Sequence, residues 1–346
     1  MGQVVNLRPI VIGLDGCVPI CEIDDKVLST DTLFDLNEKP PFDRDLLRAR
    51  LDDLAKRGVH IGGSSWKYEG WLDQIYSRSR YQVRGRFSKK LFEETCLAEY
   101  ATVFPAVCGD FAFYQFPSQP FWTKLFRQTP PQFRWGFKVP EQITVPCWPV
   151  HPRYGALAGL DNPTFLDVTL LDQSFLQALE PHRQQVGVLI FEFGTMRTRN
   201  FAGVRDFVKT LDPFLDCLPA GWSYAVEIRN AEFLAPDYFA CLRAHNVAHV
   251  YNAWTRMPEI AEQLAIPESR TSDLIVSRAL LRRGRPYEDA VRMFSPYDRV
   301  QDVNEGVRGA LRELIDVALV DGLPAFIFVN NRLEGNSPGT VVAITD

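Results

Sequence analysis

Short apolar runs alternate with amphipathic segments along most of the chain, from residue 59 onward. The runs are rich in β-branched and aromatic residues, and several are apolar on both faces, which is typical of parallel strands buried on both sides. Eight such strands are predicted, over residues 59–65, 105–113, 133–139, 186–193, 222–229, 247–254, 273–280 and 325–331.

The segments between these runs have the periodicity of amphipathic helices, as in residues 304–322. Eight strands alternating with helices predict an α/β protein with a TIM-like (β/α)8 barrel. A doubly wound open sheet is the alternative, but no glycine-rich turn of the kind that binds dinucleotides follows the first strand. The last residues, 341–346, fall where the final helix should begin, so this helix is predicted to be short or truncated.

The first 58 residues have a different pattern. Residues 1–41 contain scattered Gly, Asp and Pro and end in a Lys-Pro-Pro sequence, whereas residues 42–58 predict a helix that stops at Gly58. We therefore expect an N-terminal extension with one helix over residues 1–58 and a barrel domain over residues 59–346. The predicted apolar stripe of the helix consists of Leu46, Leu47, Leu51 and Leu54.

The composition excludes several classes of protein. Apolar residues make up 46% of the 346 residues, which is too many for a disordered chain. The net charge is −5 with both signs interspersed, so the broad basic surface that duplex nucleic acid requires is not expected. No apolar run approaches the ~20 residues that cross a bilayer, and the N-terminus lacks the pattern of a secretory signal. We expect a cytoplasmic protein that does not enter a membrane.

The cysteines and histidines do not predict a metal centre. Seven cysteines spread over a long chain favour reduced thiols over a disulfide framework. The close pair Cys17 and Cys21 has no second pair or histidine cluster to complete a zinc site, and the five histidines do not gather at the strand ends.

Polar residues end almost every predicted strand. Strand ends are often polar because they meet solvent, but three cations and three acids at one rim indicate a site, because buried charge must be paired or used. In a TIM-like barrel the functional residues lie at the carboxyl ends of the strands. The candidates are Trp66, Asp110, Tyr114, Lys138, Glu192, Glu227, Arg229, Arg278, Asn330 and Asn331.

Three of these candidates are predicted to be catalytic. Glu192 lies in an apolar run, so a raised pKa is expected and Glu192 is the candidate general acid. Glu227 lies two residues before Arg229, hence on the same face of a strand, where the guanidinium should keep it ionised. Lys138 is suited to bind a phosphate or carboxylate or to act as a base. The alternatives are an internal salt bridge between Glu227 and Arg229 and an ion pair of Lys138 with Glu192 or Asp110.

The other candidates are predicted to bind substrate. Arg229 and Arg278, with Lys138, are expected to hold an anion. Asn330 and Asn331 are suited to bind hydroxyl or amide groups, or alternatively to cap a turn. No cofactor is predicted, although Asp110, Glu192 and Glu227 are compatible with a Mg²⁺ or Mn²⁺ site. The aromatic residues expected at the rim, unless they belong to the core, are Trp66, Tyr68, Trp71, Phe113, Tyr114 and Phe116.

Five short segments, taken together and in this order, carry a family resemblance: IGGSSWKYEGW, FAFYQFPS, FKVPEQIT, AVEIRN and FVNNRLEGN. They resemble the YecE-like family, also called domain of unknown function 72, over residues 59–346. The resemblance implies a TIM-like barrel and no established activity. The residues that match the family pattern are Lys138, Glu227, Arg229, Arg278, Asn330 and Asn331.

Two strand ends depart from that pattern. Family members usually carry Glu-Ile-Asn-Ser at the second strand, where this chain has Cys108 to Phe111, so Cys108 takes the acidic position and Asp110 the Asn position. At the fourth strand the family usually has Gln before a Pro pair, where this chain has Glu192, Phe193 and Gly194. The departures imply a variant, or a partial loss, of the family's function.

Two classes of function remain. The first is an enzyme, such as a hydrolase, isomerase or lyase, that acts by acid/base chemistry on a small anionic or polyhydroxylated substrate, such as a sugar phosphate or a nucleotide-like molecule. A narrower form is a retaining glycoside hydrolase that uses Glu192 and Glu227. The second class is a non-catalytic barrel that binds a ligand or a nucleic-acid end. The sequence does not indicate an oligomeric state.

Overall fold

The computed structural model of the protein describes residues 42–346. Eight parallel strands close into a barrel in which each strand pairs with its neighbours in chain order and the first strand pairs with the last. The predicted TIM-like barrel is thereby confirmed. The strands are β1 Val59–Gly63, β2 Ala106–Gly109, β3 Arg134–Lys138, β4 Val186–Phe193, β5 Tyr224–Ile228, β6 Ala248–Ala253, β7 Ile275–Ala279 and β8 Ala325–Val329.

Helices form the outer layer, and a small hairpin of the strands Gln82–Val83 and Arg86–Phe87 lies between β1 and β2 in the chain. The helices are α1 Arg44–Lys56, α2 Lys89–Tyr100, α3 Gln119–Phe126, α4 Glu141–Thr144, α5 Val168–Leu171, α6 Gln177–Leu179, α7 Val204–Asp216, α8 Pro236–Ala244, α9 Ile260–Leu264, α10 Tyr287–Phe294, α11 Glu305–Asp321, α12 Asn331–Glu334 and α13 Ser337–Thr345.

Every second residue of a strand points into the barrel. These inward positions form their own apolar cluster, in which Phe326 and Phe328 of β8 are the largest side chains. These two rings fit only because glycine lies on the strands opposite. A Cβ at Gly136 would lie 2.6 Å from the ring of Phe328, and a Cβ at Gly187 would lie 2.3 Å from the ring of Phe326. Large aromatic rings opposite glycines therefore fill the barrel interior, which is a packed core below the site.

Helix α1 lies within the predicted segment 42–58 and packs against β1 and α13. Its stripe is narrower than predicted, because Leu47 and Leu51 are buried whereas Leu46 is 46% exposed. The final helix, α13, has nine residues and begins at Ser337, before the predicted start at residue 341. Residues 1–41 of the predicted extension lie outside the described residues.

The second strand is shorter than predicted. The run at 105–113 yields a strand only over Ala106–Gly109, and a 3-10 helix follows over Asp110–Tyr114. This turn takes the chain away from the barrel wall directly after Gly109. As a result Asp110, Phe113 and Tyr114 lie in a 3-10 helix at the mouth of the barrel.

The cysteines of the described part are the free thiols Cys96, Cys108, Cys147, Cys217 and Cys241. Cys17 and Cys21 lie outside it. Between residues 42 and 346, no helix has both the length and the apolar character that crossing a bilayer requires.

A buried histidine makes the fold sensitive to acid. His249 in β6 is 2% exposed, with Tyr238 Oη 3.2 Å from Nδ1 and Gln263 Oε1 3.3 Å from Nε2. Burial lowers the pKa of His249 from 6.5 to about 4, and burial also lowers the pKa of His60 to about 4. Both imidazoles are therefore neutral in the folded protein at pH 5, whereas in the unfolded chain they are protonated.

We expect the free energy of unfolding to decrease as the pH falls from 6.5 towards 4, because the unfolded chain binds the protons first. His249 alone contributes about 2 kcal/mol to this decrease between pH 7 and pH 5. Urea denaturation of His249→Gln at the two pH values should show a decrease that is smaller by that amount. The exposed His151 provides the control, and a His249→Gln variant with the same decrease as His151→Gln would contradict the assignment.

Candidate functional site

The site is the uppermost inward-facing layer of the barrel. On β4, Val188 and Ile190 point into the barrel, and Glu192 lies two residues further along. The same spacing separates the inward Ala225 of β5 from Glu227, and the inward Val276 of β7 from Arg278. Pairing between strands sets the height, because Glu192 is in register with Glu227, and Asn252 with Arg278. The period of two and the barrel register thus place the charged residues at one level above the apolar core.

Arg278 lies at the centre of this layer and is 1% exposed. Its Nη1 donates to Glu192 Oε2 at 2.5 Å and to Glu227 Oε2 at 2.5 Å, and its Nη2 donates to Asp110 Oδ1 at 3.0 Å. One guanidinium therefore bridges all three acids. The predicted role of Arg278 in holding an anionic ligand does not agree with this arrangement, because its Nη groups are already engaged by carboxylates.

Glu192 contacts all three cations of the layer. Its carboxylate lies 3.1 Å from Lys138 Nζ, 3.2 Å from Arg229 Nη2 and 2.5 Å from Arg278 Nη1. Burial raises the pKa of Glu192, but Lys138, Arg229 and Arg278 together lower this pKa well below its usual range. The raised pKa predicted from the apolar run is therefore not found, and the lowered pKa of Glu192 favours an ionised carboxylate over a general acid. Its side chain remains 15% exposed.

Glu227 and Arg229 form the internal salt bridge that was the alternative to a catalytic role. Arg229 Nη2 lies 2.6 Å from Glu227 Oε1, and Glu227 is fully buried. Glu227 does not line the cavity described below, so it has no path to a substrate there. Its predicted catalytic role is not supported, because Arg229 and Arg278 shield both of its oxygens.

Two aromatic rings complete the charged layer. Lys138 Nζ lies 3.7 Å from the centre of the Phe113 ring, and the Arg229 guanidinium lies 3.9 Å from the Trp254 ring. Such contacts stabilise a partly desolvated cation. Trp254 was missed by the sequence analysis, although it directly follows β6 and the rule that selects residues at strand ends would have found it.

A cavity of about 720 Å³ opens above this layer at the carboxyl ends of the strands. Glu192, Lys138 and Arg229 lie at its base, where they are nearest to the apolar core. The wall includes charged residues that the sequence analysis did not select. Of the predicted site residues, the cavity is lined by Trp66, Asp110, Tyr114, Lys138, Glu192, Arg229, Arg278 and Asn330. The additional charged residues are Lys67, Glu93, Glu94, Lys124 and Arg332.

The two asparagines after β8 have different roles. Asn330 lines the cavity, donates from Nδ2 to Ser64 Oγ at 2.5 Å and accepts from the backbone N–H of Arg332, so it caps α12. Asn331 is the next residue, so its side chain points away from the barrel interior, and it does not line the cavity. Its Oδ1 accepts from Trp71 Nε1 at 3.2 Å and from the Ser337 N–H at 2.7 Å. These contacts are structural, and they do not support the predicted role of Asn331 in substrate binding.

The predicted aromatic rim is divided between cavity and core. Trp66, Tyr68, Phe113 and Tyr114 line the cavity, and Tyr114 is 54% exposed. Trp71 is fully buried and Phe116 lies outside the cavity wall, so neither is a rim residue. Phe121 and Tyr287 were not selected from the sequence, yet both line the cavity and are 39% and 45% exposed.

The three acids are poorly suited to a divalent metal. Arg278 contacts Asp110, Glu192 and Glu227, so a guanidinium lies between the carboxylates at the position that Mg²⁺ or Mn²⁺ would require. Among residues 42–346, the one group of side chains with metal-ligand spacing is found elsewhere on the barrel.

Residues 60–346 match the protein family described as "Protein of unknown function DUF72". The chain belongs to the DUF72 family. Among solved structures, it is similar to a DUF72 family protein from Thermotoga maritima, with 19% identity and a TM-score of 0.54 over 83% of this chain and 96% of that one. A DUF72 family protein from Enterococcus faecalis has 15% identity and a TM-score of 0.52 over 83% of this chain and 94% of the other. No curated protein matches the chain.

At this identity, the similarity to the two solved DUF72 structures shows a shared fold. The chemistry of this DUF72 protein depends on the side chains of its own cavity, chiefly the ionised Glu192 and the cations around it.

Proposed function

We propose that this DUF72 protein is an enzyme that acts on a small polar substrate with an anionic group, with Glu192 as the base or nucleophile and Lys138 as the ligand-binding cation. The observation that carries the proposal is the position of Glu192. It is the acid that contacts all three cations of the layer, and its side chain is exposed to the cavity.

An ionised carboxylate at the base of a cavity is ready to accept a proton at neutral pH. Purely structural ion pairs do not need an exposed member, as Glu227 illustrates by its complete burial. Glu192 can also receive a substrate without structural rearrangement, since the cavity above it is already open. These features support a reactive role for Glu192.

Lys138 is the cation best placed to meet an anionic group. Its ammonium has three N–H donors and, within residues 42–346, one carboxylate contact, to Glu192 at 3.1 Å, while the Phe113 ring covers another side. A donor of Lys138 thus remains for a phosphate or carboxylate of the substrate. Arg229, by contrast, is held between Glu192, Glu227 and the Trp254 ring.

The geometry opposes the retaining glycoside hydrolase. That mechanism needs a protonated carboxylic acid and a second carboxylate that reaches the sugar. Glu192 has a lowered pKa and Glu227 is fully buried, so neither requirement is met by this pair.

A non-catalytic binding barrel is the second candidate. It is favoured by the balance of the charged layer, in which three acids and three cations neutralise each other. In this case the cations would still attract an anionic ligand, but Glu192 would serve only as their counter-ion.

The test is a thermal-shift screen of sugar phosphates, sugar acids, nucleotides and short single-stranded oligonucleotides, followed by product analysis of every hit. A ligand at 100 times its Kd adds about 2.7 kcal/mol to the free energy of unfolding, enough for a visible shift. Conversion of a bound small molecule supports the enzyme. Binding without conversion would favour the non-catalytic barrel, and binding of oligonucleotides alone would remove the small-molecule substrate.

We expect Lys138→Met to raise the Kd of an anionic hit by about 10- to 100-fold, because a hydrogen bond to a charged group contributes about 1.5–3 kcal/mol. Isothermal titration calorimetry measures the change. Lys124 at the exposed edge of the cavity is the matched control, and Lys124→Met should change the Kd by no more than about threefold. Equal effects of the two variants would mean that the anion binds at the rim.

A further inference from the structure

We propose that Asp212, Cys241 and His245 form a zinc-binding site on the outer layer of the barrel. Asp212 and Cys241 lie on the packed helices α7 and α8, and His245 directly follows α8; none of the three lines the cavity. The site is therefore independent of the proposed reaction.

The three side chains converge because of their helical spacing. Cys241 and His245 are four residues apart, at the end of α8, so they lie on the same face of this helix. Asp212 faces them from α7. His245 Nε2 lies 2.8 Å from Asp212 Oδ1, Cys241 Sγ lies 3.7 Å from the same oxygen, and all three ligand atoms lie within 4.8 Å of one another.

These separations are close to those that zinc requires. Zinc bonds measure about 2.0–2.2 Å to nitrogen and oxygen and about 2.3 Å to sulfur, so ligand atoms of a tetrahedral site lie roughly 3.3–3.8 Å apart. The sulfur–oxygen distance already falls in this range. A small rotation of the exposed Asp212 side chain would lengthen the distance between His245 Nε2 and Asp212 Oδ1 from 2.8 Å into the same range.

The donor set favours zinc over the harder divalent ions. A thiolate and an imidazole suit Zn²⁺, whereas Mg²⁺ and Ca²⁺ take oxygen ligands. Three protein ligands leave the fourth position of the tetrahedron to water, which the exposed side of the cluster can supply.

Binding must displace one proton. A cysteine binds zinc as its thiolate, so the Cys241 thiol gives up its proton on binding. Zn²⁺ takes the place of this proton, which is released to solvent as the Zn–S bond forms. The imidazole of His245 coordinates through Nε2 and carries its remaining proton on Nδ1.

The cluster lies at the end of the barrel opposite the cavity. His245 comes three residues before the start of β6, at the amino-terminal ends of the strands, whereas the cavity is at their carboxyl ends. In TIM-like barrels this end serves stability rather than chemistry. The bound ion would join α7 to α8 and thereby stabilise the fold.

The experiment is a titration of the full, reduced chain with Co²⁺, followed by displacement with Zn²⁺. We expect a thiolate-to-cobalt charge-transfer band at one equivalent of Co²⁺, which Zn²⁺ abolishes, and a higher Tm with Zn²⁺. Cys241→Ser should remove the band, and His245→Gln should weaken Zn²⁺ binding by about 100-fold or more. Cys217, exposed at the end of α7, is the matched control, so Cys217→Ser should leave both results unchanged.

Two results would overturn the proposal. One is the absence of the band in the unmodified chain. The other is a band that persists in Cys241→Ser, since the cobalt would then be held by other thiols. His245→Gln keeps the test decisive if Cys241→Ser does not fold, because His245 is only partly buried. Either failure leaves the proposed reaction at Glu192 untouched.

Discussion

Replacing Arg278 by methionine is expected to destabilise the protein by about 3–5 kcal/mol, because removing one partner of a buried ion pair leaves uncompensated charge. Arg278 contacts Asp110, Glu192 and the fully buried Glu227, and no solvent is available to Glu227 in its place. For a chain of this size, that loss lowers the Tm by roughly 5–8 °C. Differential scanning calorimetry measures it directly.

Arg283 provides the matched control. In the described part of the chain its one ion pair is with Glu262, and both side chains are about half exposed, at 51% and 55%. An exposed pair contributes at most about 1 kcal/mol, so Arg283→Met should leave the Tm almost unchanged. A Tm for Arg278→Met equal to that of Arg283→Met would mean that the central guanidinium is not needed by the acids around it.

A second substitution tests the cause of the loss. If the destabilisation arises from the unpaired charge of Glu227, then Glu227→Gln should recover part of the lost Tm in the Arg278→Met background. Double-mutant cycles isolate this coupling when the residues are in contact, as they are here at 2.5 Å. Strictly additive Tm changes would contradict a direct interaction.

Glu192→Gln is expected to reduce turnover of the substrate by about 10²- to 10⁴-fold, which is the usual contribution of a positioned general base. Glutamine keeps the size of the side chain and its hydrogen-bond acceptor, but it is neutral and cannot take up the proton. Binding of an anionic ligand should be kept or strengthened, because Lys138, Arg229 and Arg278 lose a competing anion. Single-turnover kinetics and calorimetry separate the two effects.

The control for this variant is Glu313→Gln, which removes an exposed carboxylate from α11 on the outer layer. It should retain full turnover. If Glu192→Gln lost turnover only in proportion to its unfolded fraction, Glu192 would be a counter-ion and the non-catalytic barrel would be the better explanation.

The pH profile gives a further readout for Glu192. Its pKa lies well below 4.5, so the base is already ionised at every higher pH, and kcat/KM should not change through its titration between pH 5 and pH 7. The decrease in kcat/KM caused by protonation of Glu192 is expected below pH 4.5. A one-proton loss of kcat/KM between pH 7 and pH 5, with the protein still folded, would indicate a different base.

Selecting the residues that end apolar strands located most of the charged layer. Lys138, Glu192, Arg229 and Arg278 each lie at or directly after the carboxyl end of such a strand, and all four line one cavity. This rule worked because a period of two on a parallel strand places inward residues at fixed heights, and the barrel register then brings neighbouring strand ends together. The same rule failed for Asn331, because side chains alternate along a strand and that of Asn331 points away from the barrel interior.

The electrostatic roles could not be predicted from the sequence in this way. A pKa depends on which charges lie within a few ångströms, and Glu192 is separated from Lys138 and Arg278 by many residues of chain. The apolar run around Glu192 predicted a raised pKa, whereas the three cations around the folded carboxylate lower it. The contacts that lower the pKa exist only in the closed barrel, and they are the reason for proposing that Glu192 is a base rather than an acid.

Other contacts depend on the packing of helices. Asp212 lies 29 residues before Cys241, and only the packing of α7 on α8 brings its carboxylate to the thiol and to His245. By itself, the sequence determined the barrel, the level of the charged layer and most of its members, because alternation and strand ends are local patterns. The tertiary structure decided which charges neutralise each other and which carboxylate remains exposed, because those outcomes depend on distances between residues far apart in the chain.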